Sequence, residues 1–436
     1  MNDIISKQAK ISTSEAIDRP QPKLLVLDAG YTLEGIRERR IEQSVTCRDL
    51  DGFFAHVWSV HPFATLVTSE SWGPRHGRPQ LYQLAPRHSI IEGKVGRHAW
   101  LSRLFAANFL LSQIDLFLML WRLIRKEGIS VIRAASPLYP GLFGWALARL
   151  SGIPLVIRVG GNHDKYYETT GQPIEPRLMR SRRIEKIVER FVFSRADLVA
   201  AANQDNLDFA LANGARAERS TLFRYGNLID DRHFVEPGRR SRDDAYLAEL
   251  GISPGKFLLY IGRLEPVKQP DHVVETLVEV RRRGFDVKAV LAGEGRMREQ
   301  LAERAHAAGI EDSLIFAGNV GQDRLAQLMP LAAAIVSPHT GRALTEAALG
   351  AAPVVAYDVD WQGELIETGV TGILVPHGEV EQMAQGTVRL LSDPAYARQL
   401  GDSLRKRALE MLDPLALDEH ERQEYSKLLT RFDRPE

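Results

Sequence analysis

The sequence predicts an α/β protein of two domains, each a doubly wound parallel sheet with helices on both faces. Short runs rich in Val, Ile and Leu alternate with helix-length amphipathic stretches along the chain. These runs are apolar throughout, as is typical of parallel strands buried on both faces. The 436 residues also exceed the usual size of one domain, which is about 100–200 residues.

Predicted strands and helices alternate in both halves of the chain. In the first half we predict strands at 23–28, 56–60, 131–135, 155–159 and 198–201, and helices at 100–126, 142–150, 177–193 and 204–213. In the second half we predict strands at 257–261, 287–292, 314–316, 334–337 and 354–357, and helices near 271–283, 297–308, 323–332, 343–350 and 380–391. Gly or Pro stands at most of the junctions.

A charged segment at 230–244, which contains Pro237 and Gly238, is the best candidate for a linker. We therefore predict a disordered tail at 1–22, a first domain at 23–236 and a second domain at 237–410. Residues 411–436 are predicted to form a C-terminal helix that can cross back to the first domain. Because ligands of such sheets bind beyond the carboxyl ends of the strands, the residues after each strand are the candidate site.

Composition excludes several classes of protein. Lys and Arg number 56 and so do Asp and Glu, and this balance argues against binding to nucleic acid. Cys47 is the only cysteine, which excludes a disulfide framework or a cysteine-based zinc site within one chain. Residues 1–22 lack the apolar core of a signal peptide, and we expect a cytoplasmic protein.

The first strand of the second domain leads into the segment 262–268, Gly-Arg-Leu-Glu-Pro-Val-Lys. Gly262 allows a tight turn close to a ligand. Arg263 and Lys268, five residues apart at the mouth of a cleft, can hold a diphosphate between them. The alternative is a solvated turn with two ordinary surface cations.

The second strand of that domain ends in Gly293-Glu294-Gly295-Arg296 and opens a helix. Glycines at the start of a helix suit a phosphate or the edge of a nucleotide, with Glu294 as a contact. An ordinary turn between a strand and a helix explains the same residues.

The fourth strand of the second domain leads into a helix that begins near Gly341. The backbone N–H groups of Arg342, Ala343 and Leu344 would face the cleft, where a helix start attracts anions. Glu346 follows one turn later, and its carboxylate can accept hydrogen bonds from two hydroxyls, as a ribose offers. A favourable first-turn Glu is the alternative interpretation.

The order of these motifs resembles glycosyltransferase family 4, the retaining GT-B enzymes that use nucleotide sugars. The residues that match are Gly262, Arg263, Leu264, Lys268, Gly293, Gly295, Gly341, Glu346, Ala347, 353–356, Glu364, Gly369 and Gly372. The resemblance implies two Rossmann-like domains facing across a cleft, with the acceptor on the first and the donor on the second. It also implies that Arg263 and Lys268 bind the diphosphate, that Glu346 binds the ribose, and that residues 341–344 approach the phosphate and sugar.

One residue departs from the family pattern. The family carries a second Glu eight positions before Glu346, where this sequence has Pro338. That carboxylate normally contacts the transferred sugar, so we expect His339 or Thr340 to hold the sugar instead. A catalytically inactive relative is the alternative, although the phosphate-binding residues are intact.

Two segments of the first domain are further candidates. Gly30 and Tyr31 lie in a glycine-containing loop after the first strand, where the family has a loop near the phosphates and acceptor. His163 and Asp164 follow the strand at 155–159. His163 stands where the family often has a histidine that contacts the sugar, and Asp164 is a candidate partner of the acceptor hydroxyl. A mere turn and a surface histidine remain alternatives.

No metal or other cofactor is expected. Asp358-Val359-Asp360 resembles the Asp-x-Asp metal motif of a different glycosyltransferase fold, but it leads into a segment that matches the GT-B pattern. The histidines show no metal-binding spacing.

The predicted helix 100–126 is unusually apolar, although Asn108, Ser112, Gln113, Asp115 and Arg122 interrupt it, so we do not expect it to span a membrane. Basic residues flank both of its ends, which suits a helix at the interface of an anionic membrane. Packing in the core of the first domain is the alternative that the sequence favours. The resemblance adds that many relatives act on lipid-linked acceptors.

The sequence thus predicts a retaining glycosyltransferase that moves a sugar from a nucleoside diphosphate sugar, with UDP or GDP, to a hydroxyl of a glycan or lipid-linked acceptor. Bacterial polysaccharide or glycolipid biosynthesis is the expected setting, at the inner face of the membrane. Two alternatives stay open: a GT-B sugar-nucleotide epimerase and a non-catalytic sugar-nucleotide-binding protein.

Overall fold

A computed structural model describes residues 20–39, 41–69, 71–224, 229–339, 341–359 and 361–432. Most of the tail predicted at 1–22, the candidate Thr340 and Asp360 of the Asp-x-Asp segment lie outside the described residues. By its internal contacts the chain divides into two compact units. Unit 1 contains the described residues up to 134, 143–155 and 428–432, and unit 2 contains 135–142 and 156–427. The domain boundaries given by the sequence stay predictions.

The first half of the chain alternates strands and helices. Its strands are β1 (Lys23–Leu27), β2 (His56–His61), β3 (Gln80–Ala85), β4 (His88–Glu92), β5 (Val131–Ala134), β6 (Leu155–Val159), β7 (Leu198–Ala201) and β8 (Ser220–Leu222). Its helices are α1 (Leu33–Arg39), α2 (Gln43–Thr46), α3 (Phe105–Glu127), α4 (Tyr139–Ser151), α5 (His163–Thr170), α6 (Arg182–Phe193) and α7 (Gln204–Ala212).

The second half repeats this alternation. Its strands are β9 (Phe257–Ile261), β10 (Lys288–Ala292), β11 (Leu314–Gly318), β12 (Ala334–Ser337), β13 (Val354–Tyr357) and β14 (Ile373–Val375). Its helices are α8 (Asp244–Glu249), α9 (Pro270–Arg282), α10 (Arg298–Ala307), α11 (Gln322–Leu328), α12 (Arg342–Leu349), α13 (Gln362–Leu365), α14 (Val380–Ser392), α15 (Pro394–Leu412) and α16 (Pro414–Phe432).

Unit 1 contains the strand order β3-β4-β2-β1-β5. All of these pairs are parallel except β3 with β4, which is antiparallel. The sequence did not predict β3 and β4. The reason lies in β4, which is buried throughout although it begins with His88 and Ser89 and ends with Glu92. Leu33 N donates to Glu92 Oε1 at 2.8 Å, so this buried carboxylate has a partner that a search for apolar runs does not detect.

Unit 2 contains β6, β7 and β8, which are parallel, and a second sheet in the order β11-β10-β9-β12-β13-β14. Alternate residues of β9 enter two separate cores. Leu258 and Tyr260 pack into one cluster, and Phe257 and Leu259 pack into the other. Helices therefore cover both faces of this sheet, as the uniformly apolar strands predict.

Several predicted helices have different bounds in the structure; the helix predicted at 100–126, for example, begins at Phe105. The helix predicted from 177 begins only at Arg182, because Ser181 caps it: the Ser181 side chain accepts a hydrogen bond from Ile184 N. The helix predicted at 323–332 ends at Leu328, and a short 3-10 turn that contains Pro330 follows it. At the C-terminus, α16 contacts β8, and His420 Nε2 lies 3.0 Å from Thr221 Oγ1.

Candidate functional site

Three neighbouring strands of the second sheet end at the same edge. Ile261 of β9 pairs with Ala292 of β10, and Leu259 of β9 pairs with Ile335 of β12. Since these strands are parallel, the loops after them meet at their carboxyl ends. We call these three segments, 262–269, 293–297 and the described residues 338, 339 and 341, the edge loops. They contain most of the residues that the sequence predicts to bind the donor.

The glycines of the first two edge loops bring those loops into contact. A Cβ added to Gly293 would lie 1.9 Å from Gly262 O, and Gly293 has a φ of +154°, which other residues rarely adopt. A Cβ added to Gly295 would lie 2.3 Å from Leu264 O. Leu264 N in turn donates to Glu294 O at 2.9 Å. These glycines therefore have a structural role, which is to let the two loops lie side by side.

The backbone carbonyl of Arg263 is held by a hydrogen bond, whereas its side chain is exposed. The hydroxyl of Tyr260 donates to Arg263 O at 2.9 Å. Burial raises the pKa of Tyr260, so the phenol stays protonated and remains a donor. The exposed guanidinium is thus carried by a rigid turn, as binding an anion requires.

The third edge loop approaches the first. Lys268 Nζ lies 3.4 Å from His339 Nδ1, and a Cβ added to Gly341 would lie 3.9 Å from Lys268 Nζ. Pro338 follows β12 directly, at the place where the family pattern has a carboxylate. The structure therefore brings together Lys268, His339 and Gly341, three residues that the sequence assigns to the donor site.

Helix α12 begins at this junction. Gly341 is its N-cap and offers no side-chain acceptor to the first N–H groups of the helix. A recess beside the helix start is lined by Tyr260, Pro338, His339, Ala343 and Leu344, among others. A helix start that opens into a recess favours an anionic ligand, because the aligned peptide dipoles give that end a partial positive charge.

Glu346 lies one turn into α12 and is only 2% exposed. Arg342 Nε is 3.0 Å from Glu346 Oε1, which is an ion-pair distance. The geometry is not that of a hydrogen bond, and among the described residues this oxygen has no hydrogen-bond partner. A buried acceptor without a donor costs about 1–3 kcal/mol. The predicted contact of Glu346 with a ribose hydroxyl stays a prediction.

Glu294, the remaining donor candidate, is exposed. Its Oε1 lies 3.3 Å from Nη1 of Arg298, the first residue of α10. This exposed pair contributes little to stability. A role for Glu294 at the nucleotide stays a prediction.

His163 is the first residue of α5 and is buried, which excludes the surface histidine that the sequence left as an alternative. Its Nδ1 lies 2.7 Å from Glu189 Oε1, and its ring stands 5.3 Å from the ring of Phe209. Because a carboxylate can only accept a hydrogen bond, the Nδ1–H of His163 donates to Glu189. Nε2 is therefore the ring nitrogen left for any further contact. The predicted sugar contact of His163 is not tested by this geometry.

Asp164 is enclosed by cations. Arg182 Nη2 and Lys186 Nζ each lie 3.0 Å from Asp164 Oδ1. Burial raises the pKa of Asp164, but the hydrogen bonds and charges of Lys186 and Arg182 outweigh it, and the net pKa is lowered. A carboxylate with a lowered pKa is a weak base. We therefore expect Asp164 to accept a hydrogen bond from a hydroxyl rather than to remove its proton.

Gly30 and Tyr31 lie in unit 1, in the loop after β1. Gly30 N donates to Asp28 Oδ1 at 2.8 Å, and Asp28 also pairs with Arg48. The Arg48 guanidinium stands 5.3 Å from the centre of the Tyr31 ring. This turn is ordered by its own contacts, and its contact with an acceptor stays a prediction.

Two family models match the chain. Residues 244–407 match the model of glycosyl transferases group 1, and residues 29–226 match the glycosyl transferase 4-like domain. The two models together span most of the chain and indicate a GT-B glycosyltransferase of the family 4 type. The predicted pair of parallel-sheet α/β domains and the predicted enzyme class are confirmed.

Two curated relatives show how this glycosyltransferase compares with others. It is 27% identical over 273 residues to alpha-D-kanosaminyltransferase of Streptomyces kanamyceticus, a match that covers 62% of this chain and 68% of the relative. It is 30% identical over 212 residues to D-inositol 3-phosphate glycosyltransferase of Nocardia farcinica, covering 44% and 47%. The chain therefore spans about two thirds of the first relative and about half of the second.

Solved structures share the fold of this glycosyltransferase. Anabaena HepE in complex with UDP superimposes with a TM-score of 0.66 at 18% identity, covering 93% of this chain and 100% of that chain. Sucrose-phosphate synthase from Thermosynechococcus elongatus gives a TM-score of 0.69 at 18% identity, covering 94% and 100%. At this level of identity the likeness establishes the fold.

Sequence reasoning missed Tyr260, Arg182 and Glu189. Tyr260 sits inside an apolar strand and gives no signal there. Arg182 and Glu189 do give one: charged residues recur at 182, 185 and 189, which is helical spacing, on the buried face of α6. Charges on a buried face imply mutual pairing, and Arg182 Nη1 indeed lies 2.7 Å from Glu189 Oε1.

Proposed function

We propose that this glycosyltransferase transfers a sugar, with retention of configuration, from a nucleoside diphosphate sugar to a hydroxyl of a glycan or lipid-linked acceptor. The observation that carries the proposal is the buried Glu346, whose Oε1 pairs with Arg342 but has no hydrogen-bond donor among the residues that the structure describes. It lies one turn into a helix whose start opens into a recess. A ribose hydroxyl beside a diphosphate at the helix start would satisfy both features.

The edge loops supply the groups that a departing nucleotide needs. Arg263 is exposed on a rigid turn, and Lys268 lies beside the start of α12. As the bond to the sugar breaks, negative charge develops on the diphosphate. Two cations and a helix start would stabilise that charge more than the ground state, which lowers the barrier to transfer.

UDP is the nucleotide that we propose. The support is indirect: HepE, with 18% identity and the same fold, has been solved with UDP and with UDP-glucose. For the transferred sugar we propose a contact with His339, which stands beside Lys268 next to the Pro338 that replaces the usual carboxylate.

We also make proposals for the cellular setting of the enzyme and for its requirement for a cofactor. Both curated relatives are bacterial and are named for glycosyl transfer, which supports a bacterial setting, and within it we propose polysaccharide or glycolipid biosynthesis. We propose a cytoplasmic location, consistent with a single cysteine. We propose that no metal is needed, since no three described His, Cys, Asp or Glu side chains form a metal-binding group.

The decisive test is UDP binding by the Arg263→Ala plus Lys268→Ala variant, measured by titration calorimetry. Loss of two charge-assisted contacts should weaken UDP binding by about 100-fold or more. The matched control is Lys256→Ala plus Arg398→Ala, two exposed cations that lie outside the edge loops. If the first variant binds UDP as tightly as the unchanged protein, the assigned site is wrong.

Product analysis separates transfer from the two alternatives. The protein is incubated with a panel of nucleotide sugars and acceptors, and the products are analysed by mass spectrometry and NMR of the anomeric carbon. Transfer with the donor's configuration supports the proposal. An epimerised sugar nucleotide points to the epimerase, and tight binding without any turnover points to a non-catalytic protein.

A further inference from the structure

Helix α3 presents an unusual distribution of side chains. Its buried face carries Asn108, Ser112 and Gln113 beside the apolar Leu116, Leu120 and Ile124. Its exposed face carries large apolar side chains, and the short turn before it adds more: Trp100, Leu104, Phe105, Leu110, Leu111, Ile114 and Leu118. Trp100 is 77% exposed and Leu110 is 60% exposed. The packing in the core that the sequence favoured applies to the buried face, which contains Leu116, Leu120 and Ile124.

The buried polar side chains explain why the helix lies this way round. Asn108 Oδ1 accepts from the backbone N of Arg97 and of His98, at 2.7 and 2.9 Å. Ser112 Oγ donates to Lys94 O at 2.6 Å. These bonds tie α3 to the backbone of unit 1 and fix its rotation. The apolar face is consequently held outward by the fold.

Leu104, Leu111, Ile114 and Leu118, together with the exposed Ala107, form one continuous stripe. Positions 104, 107, 111, 114 and 118 recur every three or four residues, so they lie along one side of the helix. The stripe is about 21 Å long, at 1.5 Å per residue. Arg122 and Arg125 continue the same spacing and are exposed. An apolar stripe therefore ends in two cations on the same face.

The charges around the stripe are mainly positive. Between residues 99 and 127 the chain has four cations, Arg103, Arg122, Arg125 and Lys126, and two carboxylates, Asp115 and Glu127. Asp115 pairs with Arg97, and Glu127 lies 3.5 Å from Lys126 and 3.8 Å from Lys23. The carboxylates are thus neutralised by neighbours, and exposed cations flank the apolar surface at both ends.

We propose that this stripe, which we call the α3 face, docks the protein on the surface of an anionic bilayer. Apolar and aromatic side chains would enter the boundary of the acyl chains, and Arg103, Arg122 and Arg125 would meet the lipid phosphates. Helix α3 is long and apolar enough to cross a membrane by length and composition. However, its buried polar bonds belong to the folded unit, so the helix lies along the membrane. The proposal is independent of the donor and places the enzyme where a lipid-linked acceptor is presented.

The test is sedimentation of the full chain with vesicles, compared with Leu111→Gln plus Ile114→Gln plus Leu118→Gln. Vesicles of equal parts phosphatidylglycerol and phosphatidylcholine are set against vesicles of phosphatidylcholine alone, at about 0.05 and 0.5 M NaCl. The unchanged protein should bind the anionic vesicles at low salt, and the triple variant should bind about tenfold less. The matched control is Ile187→Gln plus Val370→Gln plus Leu415→Gln, which replaces three exposed apolar side chains outside α3. This control variant should bind the anionic vesicles as the unchanged protein does.

Further measurements separate loss of vesicle binding from loss of folding and from loss of the donor site. Thermal unfolding and UDP titration of the triple variant should match those of the unchanged protein, so loss of vesicle binding is separate from failure of the donor site. Should the triple variant not fold, Arg122→Gln plus Arg125→Gln takes its place and must reduce binding at low salt. Absence of vesicle binding, equal binding by the variants, or a dimer that the triple variant abolishes would overturn the proposal, the last in favour of a second copy of the chain.

Discussion

Nδ1 of His163 lies 2.7 Å from Oε1 of Glu189, which is fully buried on α6. The Glu189 carboxylate also accepts hydrogen bonds from both Nη atoms of Arg182, at 2.7 and 2.8 Å. The Glu189→Gln substitution removes the negative charge, so the buried donors of His163 and Arg182 lose their charged acceptor. We expect the free energy of unfolding, measured in urea, to fall by about 3–5 kcal/mol. The control is Glu168→Gln, an exposed residue of α5, which should change it by less than about 0.5 kcal/mol.

The same pairing makes a prediction for acidic conditions. Burial raises the pKa of Glu189, but the hydrogen bonds and charges of His163 and Arg182 outweigh it, and the net pKa is lowered. A carboxyl with a lowered pKa in the folded state stabilises the fold above its unfolded pKa of about 4.3 and loses this contribution as the pH falls. Urea unfolding below about pH 4.3 should therefore show a shallower loss of stability in Glu189→Gln. Parallel curves for the two proteins would contradict the assignment.

Glu346→Gln tests the carboxylate of the donor site. A neutral amide still accepts one hydrogen bond, but it loses the charge that strengthens a bond to a hydroxyl. We expect UDP affinity to fall by about 10-fold or more, measured by calorimetry. Glu299→Gln, on the exposed surface of α10, provides the control and should bind UDP normally. A Glu346→Gln protein that folds and keeps full affinity would remove the ribose from this carboxylate.

Gly293→Ala tests the contact between the first two edge loops. Its new Cβ would fall 1.9 Å from Gly262 O, so the loop that carries Arg263 has to move. We expect a loss of about 2–3 kcal/mol in the free energy of unfolding together with weaker UDP binding. Gly321→Ala is the control, because a Cβ there has open space and the φ is an ordinary −66°. Equal behaviour of the two variants would show that the close approach is unimportant.

His61 predicts a pH dependence of stability at mildly acidic pH. It is buried in unit 1, and burial lowers its pKa to about 4. The unfolded state, with a pKa of about 6.5, binds a proton more readily, so stability falls as the pH drops from 6.5 towards 4. The difference amounts to about 3 kcal/mol. Burial lowers the pKa of His56 and His88 as well, which acts in the same direction.

The measurement for His61 is urea unfolding at several pH values between about 4.5 and 7.5, for the unchanged protein and for His61→Asn. The variant should show a smaller slope of stability against pH, whatever its overall stability. His306→Asn is the control, since the side chain of His306 is 82% exposed. An unchanged slope in His61→Asn would show that the imidazole is not held neutral by burial.

The sequence predicted most of the apolar strands with little error, although it missed the three-residue β14. The bounds of β6, β7, β9, β12 and β13 agree with the predicted ones. Buried parallel strands have no polar positions to confuse the pattern, and glycine or proline marks several of their ends. The donor side of the candidate site was predictable for the same reason, because its residues follow these strands directly.

What the sequence did not reveal depends on partners distant in the chain. Glu189 lies 26 residues after His163, and no local pattern links the two. The rotation of α3 is decided by Asn108, Ser112 and Gln113, whose acceptors and donors are backbone groups outside the helix. Polar side chains in an apolar helix look like a solvent-exposed face until those partners are known. Burial of polar groups is thus where pattern reasoning fails for this chain.

The contact between Gly262 and Gly293 has a consequence for engineering donor selectivity. The second edge loop lies so close to the first that a Cβ at Gly293 or at Gly295 would meet the backbone oxygen of Gly262 or of Leu264. Exchange of a single edge loop with that of a relative would bring in a backbone shaped for a different neighbour. The two loops therefore form one transplantable unit, and libraries that vary residues 263 and 294 should keep both glycines fixed.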